Sequence, residues 1–231
     1  MLLSNIIYLG YNIFIDALRM QRILNLHSDN KMYQDKLIIS SANLEAYNTI
    51  IRWNKWQDNR VLLIGPKKSG KTLLANLWKK KTGAILANNI DDLYDSTRII
   101  VDNLEYFKDE ELINIINFAQ EKSILLLVIS SSYPIFKLRD LNSRIISTYK
   151  VIIKQPDEKL VKLLISSFFK NKQILISNDI IDFIYLNIER EYSAINRILN
   201  IINEQAMIKK RKITLQFIKE ICTTLYRSHE I

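Results

Sequence analysis

The sequence predicts an α/β fold, a five-stranded parallel sheet flanked by helices, followed by a small all-helical lid. Three observations carry that expectation. A phosphate-binding loop is set between an apolar run and a helical stretch, short apolar runs alternate with helical patterns up to residue 153, and helical patterns stand alone beyond Pro156.

The first strand is read at Val61-Leu62-Leu63-Ile64, and it runs into Gly65-Pro66-Lys67-Lys68-Ser69-Gly70-Lys71-Thr72, a full G-x-x-x-x-G-K-[ST] loop. The spacing has a chemical reason. Glycines let backbone N–H groups close around a polyanion, Lys71 neutralises the terminal phosphates, and the Thr72 hydroxyl ligates Mg²⁺. The helix that follows, about 73–81, adds the positive end of its dipole. Further strands are expected at 84–87, at 99–101 running into Asp102, at 124–129 and at 151–153, apolar runs suited to a sheet buried on both faces. Between them Leu112, Ile115, Ile116 and Ala119 fall at helical spacing behind Asp109, Glu110 and Glu111, acids that favour a helix start. After a hinge near Gln155-Pro156, four helices are expected, at about 157–170, 178–188, 192–209 and 214–227, with Ser177 or Asn178 and Thr214 as N-caps.

Composition bounds the function. The 231 residues are 48% hydrophobic and 25% charged with only four glycines and three prolines, which argues for a globular chain. A single cysteine, Cys222, precludes an intramolecular disulfide and suits a reducing compartment, while His27 and His229 are too few and too far apart for a metal site. The net charge of +9 includes clusters at Lys79-Lys80-Lys81 and Lys209-Lys210-Arg211-Lys212. Such clusters can meet nucleic acid, but solvated helix faces explain them as well. Residues 1–15 are mostly apolar, too short to span a membrane and without the basic start of a signal peptide; Met20 is the expected true start.

The remaining motifs complete a nucleotide site. Ile99-Ile100-Val101-Asp102 has the form of a Walker B strand, in which Asp102 holds Mg²⁺ through water. Asn103 follows, where a catalytic acid is usual; an amide orients water but cannot take its proton, so slow intrinsic hydrolysis is expected. Glu105 is a substitute acid or a solvated one. Ser131, after the fourth strand, is a candidate sensor of the phosphates or part of a serine-rich turn. Arg144 closes Asp140-Leu141-Asn142-Ser143-Arg144 just before the last strand, and alone reads as a surface arginine.

Taken together, these pieces resemble the AAA+ P-loop domain of the bacterial replication initiator DnaA, and more closely the shorter Hda family of DnaA inactivators. The resemblance covers about residues 33–225 and rests on Ser41-Ala42-Asn43-Leu44-Glu45-Ala46-Tyr47, the 65–72 loop, Val101-Asp102-Asn103-Leu104-Glu105, Asp140 to Arg144, and Lys212-Ile213-Thr214. It implies an N-terminal extension (1–32), an AAA+ core (33–155) and a lid (156–231). It further implies ADP or ATP with Mg²⁺ as cofactors, a cytoplasmic location, and Arg144 as an arginine finger that promotes hydrolysis of ATP on DnaA. With the sequence ending at Ile231, no DNA-binding domain of the DnaA type is expected, so sequence-specific DNA reading and membrane attachment are not expected either. Members of the family dock on the DNA-bound sliding clamp through a Gln-Leu-x-Leu-x-Leu peptide; here Gln21, Leu24 and Leu26 match, and Arg22 departs from it. The lid's sensor arginine falls at Ser193 in this register, and Arg190, one turn earlier, is the candidate replacement. A homodimer is a further implied assembly. A helicase loader and a non-enzymatic clamp adaptor share these features and stay open on sequence alone.

Overall fold

The computed structural model describes residues 37–87 and 96–228. The apolar stretch 1–15, the clamp-peptide residues Gln21, Leu24 and Leu26, and both histidines lie outside the described residues. Strands β1 (Arg60–Ile64), β2 (Ile85–Leu86), β3 (Arg98–Val101), β4 (Leu125–Ser130) and β5 (Tyr149–Ile152) form one parallel sheet in the order β2-β3-β4-β1-β5. Because side chains alternate across a strand, the consecutive apolar residues feed two different cores. Val61, Leu63, Leu127 and Ile129 enter one, and Leu62, Ile64, Leu126 and Val128 enter the other. Burial on both faces is why β1 reads as an unbroken apolar run.

Helices α1 (Leu44–Ile51) and α2 (Lys71–Thr82) cover the first face through Ala46, Ile50, Leu74, Ala75 and Trp78. Helices α3 (Asp109–Glu121) and α4 (Arg139–Ser147) cover the second through Leu112, Ile115, Ile116, Ala119, Leu141 and Ile145. Each fully buried aliphatic of this kind contributes about 1.5–3 kcal/mol of transfer free energy. The α3 start is fixed twice over: Glu111 accepts from Lys108 N at 3.0 Å, and Asp109 Oδ2 accepts from Lys137 N (2.7 Å) and Leu138 N (3.0 Å), which anchors the entry to α4.

The lid comprises α5 (Glu158–Asn171), α6 (Asn178–Leu186), α7 (Tyr192–Ile208) and α8 (Leu215–Ser228), closed around Val161, Ile165, Phe169, Ile184, Leu199 and Phe217. Thr214 caps α8, its hydroxyl accepting from Phe217 N at 3.2 Å; at α6 the cap position falls to Ser177, without a side-chain bond. Core and lid are tied by two hydrogen bonds around the hinge. Ser41 Oγ donates to Asp157 Oδ2 (2.5 Å) and the Tyr192 hydroxyl to Lys154 O (3.1 Å), while Lys154 N donates to Ala42 O (2.9 Å) within the core. Asp157 also caps α5, accepting from Leu160 N at 2.7 Å.

Several bounds differ from the sequence expectation. The second strand shrinks to two residues, and the last begins at Tyr149 rather than 151 because β5 is a sheet edge: Val151 is buried, while Tyr149 and Ile152 are exposed. An edge strand pairs on one side, so polar residues such as Lys150 extend it without breaking an apolar run. Helices α1 and α4 were visible in sequence only as motif residues.

Candidate nucleotide-binding site

The phosphate loop leaves the C-terminal end of β1 and is held against β4, Gly65 N donating to Ser130 O at 3.2 Å. Gly65 has no room for a side chain: a Cβ there would meet both Ile153 Cβ and Ser69 Oγ at 2.9 Å. Gly70 has φ +95°, a left-handed backbone, and a Cβ on it would lie 3.1 Å from Leu37 Cδ1. It is also the N-cap of α2 and supplies no side chain to the first turn, so the amides there remain directed at the loop. Lys68 shares the positive φ, at 65°. Left-handed residues that alternate with ordinary ones, as Lys68 and Gly70 do around Ser69, turn backbone N–H groups inward and form an anion-binding concavity.

Inside the loop, Lys71 is 9% exposed and its Nζ donates to the carbonyls of Gly65 (2.7 Å) and Pro66 (2.9 Å). These carbonyls hold the ammonium at the mouth of the cradle. Ser69 is buried, and its Oγ has no hydrogen-bond partner among the described residues. A buried hydroxyl left without a partner costs roughly 1–3 kcal/mol, so the cradle is incomplete by itself and gains from a ligand with acceptor oxygens. Thr72 and Asp102 are brought together from α2 and the end of β3, Thr72 Oγ1 donating to Asp102 Oδ2 at 3.3 Å. A hydroxyl and a carboxylate converging beside a phosphate cradle are the hard oxygen donors Mg²⁺ requires. The donor set fits a Mg²⁺-nucleoside phosphate, with 65–72 holding the phosphates and Thr72 and Asp102 the metal.

The order β3-β4-β1 inserts β4 between the two Walker strands, so Ser130 and Ser131 stand between loop and Asp102. Ser130 Oγ is occupied, donating to Ser132 O at 2.5 Å, while Ser131, the expected sensor, is exposed just past the strand. Asn103 is exposed and takes a left-handed backbone (φ 55°), its N–H donating to Asp102 Oδ1 at 2.8 Å. The short bond turns Asp102 and Asn103 into one rigid corner beside the loop.

Arg190 is set apart from this group. It lines a cleft at the hinge with Gln155, Pro156, Ile188, Glu189 and Glu191, and its guanidinium lies 5.3 Å from the centroid of the Tyr185 ring. There it neighbours a lid network in which Lys162 Nζ bonds Glu158 Oε1 (2.7 Å) and Asp182 Oδ1 (2.8 Å). The bond from Lys162 holds the Glu158 carboxyl below its usual range, with a lesser push from Arg190. Burial, with the nearby Asp157 charge, raises the Tyr192 hydroxyl to about 12.

Arg144 is on the last turns of α4, where its carbonyl accepts from Thr148 N (3.1 Å) and Thr148 Oγ1 (2.8 Å). Thr148 leads directly into β5, whose Tyr149 pairs with Val61 near the start of β1. The phosphate loop begins at Gly65, four residues further along the parallel strand, on the order of 13 Å away. Arg144 therefore belongs to the opposite end of the strands from the loop of its own chain. Sequence reasoning did not single out Leu37, which packs beneath Gly70, or Gln120, which contacts Arg144; neither carries a motif.

No protein-family model matches the chain, and no curated protein matches its sequence. Solved structures do share its architecture. Domain III of the Thermotoga maritima replication initiation protein DnaA superposes with a TM-score of 0.62 at 15% identity, over 83% of this chain and 95% of that one. AMPPCP-bound DnaA from Aquifex aeolicus gives 0.60 at 18% identity over 76% of this chain and 66% of its own. The Thermotoga maritima RuvB Holliday junction branch migration motor gives 0.56 at 17%, over 80% and 67%. The fold is a DnaA-like AAA+ P-loop core with a helical lid. Among the described residues no helix is long and apolar enough to cross a membrane.

Proposed function

We propose that this protein regulates replication initiation in the manner of Hda, promoting hydrolysis of ATP held by DnaA through Arg144. In this reading residues 33–155 are the nucleotide-binding core, 156–231 the lid, and 1–32 an extension whose Gln21, Leu24 and Leu26 dock on the DNA-loaded sliding clamp. Its own site takes ADP or ATP with Mg²⁺ and turns over slowly, since Asn103 can orient a water but cannot remove its proton. Lys67, Lys68 and the α2 amides bind phosphate, Thr72 and Asp102 hold the metal, Ser131 reads the terminal phosphate, and Arg190 stands in for the lid's sensor arginine.

The observation that carries the reading is the position of Arg144, a strand length from its own phosphate loop and partly exposed. A guanidinium there serves a nucleotide on a neighbouring subunit. Fingers of this kind stabilise charge developing on the transferred phosphoryl group and are worth about 10³–10⁵ in rate in other systems. The likeness to DnaA structures, one of them bound to AMPPCP, supports the choice of nucleotide.

The test measures ATP hydrolysis by purified DnaA with and without this protein and with DNA-loaded or free clamp. Stimulation that requires loaded clamp is expected, and it should vanish when Gln21, Leu24 and Leu26 are replaced by alanine. Binding to helicase or single-stranded DNA without any stimulation of DnaA would replace this reading with that of a loader.

A further inference from the structure

We infer that Gln120 is a positioning residue that holds the Arg144 guanidinium ready for a partner's phosphate; the inference rests on the reading of Arg144 as a finger acting in trans. Two groups grip Arg144 from different sides. Asp140 Oδ2 accepts from Nε at 3.1 Å, one turn back on α4, and Gln120 Oε1 accepts from Nη1 at 3.1 Å, from the last turn of α3. The Nη2 amino group has no protein partner among the described residues, so it is the face left for an incoming anion.

Gln120 is itself oriented. Its Oε1 also receives Arg60 Nη1 at 3.5 Å, and Arg60 is 9% exposed, on a backbone locked into β1 between β4 and β5. Two cationic donors facing one side-chain amide dictate its flip, oxygen toward the arginines and nitrogen away. The chain of contacts Arg60, Gln120, Arg144 thus ties a half-buried side chain to the most buried strand of the sheet.

Charge explains why an amide suits this place. Arg60, Arg144 and Asp140 are the charged groups in the cluster, which leaves it net positive and the finger still attractive to phosphate. A carboxylate at 120 would grip equally well but cancel that charge. An arginine free to sample many rotamers must be ordered at the moment of contact, and displacements near 1 Å can cost about 10²-fold in rate. Asp140 remains in any Gln120 variant, so a loss of about tenfold is the expected share of the second grip.

The test uses the full chain labelled with ¹⁵N-arginine and follows hydrogen exchange at Arg144 Nη1, the nitrogen that Gln120 accepts from, assigned with Arg144→Lys. Gln120 is exposed but accepts from the buried Arg60, so urea unfolding first checks that each variant is folded. Gln120→Met, of similar length, should speed exchange about fivefold or more, and Gln120→Glu should restore the slow rate. In the DnaA assay both variants should lower the maximal stimulated rate about tenfold without moving the concentration for half-maximal stimulation. Exchange unchanged in Gln120→Met, or full stimulation by it while Arg144→Ala is inactive, overturns this inference alone. Stimulation that survives Arg144→Ala overturns both it and the finger reading.

Discussion

Replacing Lys71 by alanine tests the nucleotide site where its geometry is most explicit. In the protein the ammonium is 9% exposed and bonded to the carbonyls of Gly65 and Pro66 at 2.7 and 2.9 Å. Hydrogen bonds from a charged donor contribute about 1.5–3 kcal/mol each. The Gly65 carbonyl is buried and the Pro66 carbonyl half-buried, so losing their shared donor should cost about 1–3 kcal/mol of stability. Removing the cation from a desolvated phosphate contact costs more, about 2–5 kcal/mol. At 1.4 kcal/mol per decade that is roughly 30- to 3,000-fold in affinity for Mg-ADP. Calorimetric titration gives the affinity, and urea unfolding followed by the stacked Trp56 and Trp78, 5.0 Å apart, gives the stability. A folded Lys71→Ala protein that binds Mg-ADP within about threefold of wild type would refute the reasoning, because the cradle would then not be where the phosphates go.

Other predictions follow from single contacts. Asp102→Asn should abolish the gain in ADP affinity that Mg²⁺ gives over a chelator, since the carboxylate beside Thr72 is lost; calorimetry with and without EDTA checks it. Asn103→Glu should raise intrinsic ATP hydrolysis by about 10² by supplying a base beside Asp102, measured as phosphate release. Tyr192→Phe removes the bond to Lys154 O across the hinge and should cost about 1 kcal/mol in urea unfolding. The same hydroxyl, raised by burial from 10.0 to about 12, favours the folded state fully below pH 10, and that contribution is lost as pH rises toward 12. Glu158 is held below 4.5 and Lys162 above 10.5, so their lid network stabilises between those limits. It weakens as acid protonates Glu158 and as alkali deprotonates Lys162, and Lys162→Met should flatten both limbs of the pH–stability curve.

How far the sequence could be read depended on whether a residue's role was local. The 65–72 loop was legible because its spacing is a backbone requirement: Gly65 and Gly70 stand where a Cβ collides or φ is positive. The strands were legible from apolar runs because both sheet faces are covered, and the same logic failed at β5, where an open edge admits Lys150. Thr72 and Asp102 were paired by motif and are paired in space at 3.3 Å. The grip of Gln120 on Arg144 was not legible, since it joins residues 24 positions apart with no spacing rule. Arg190, the candidate replacement for the sensor position that the register gives to Ser193, has its guanidinium over the Tyr185 ring, a lid contact that no spacing rule announces.

The most direct measurement is single-turnover hydrolysis of ATP preloaded on DnaA, with loaded clamp and either wild-type protein or Arg144→Ala. Wild type should accelerate hydrolysis, and Arg144→Ala should lose at least about 10² of that acceleration while binding Mg-ADP normally. Equal acceleration by the two proteins would show that Arg144 is not the finger.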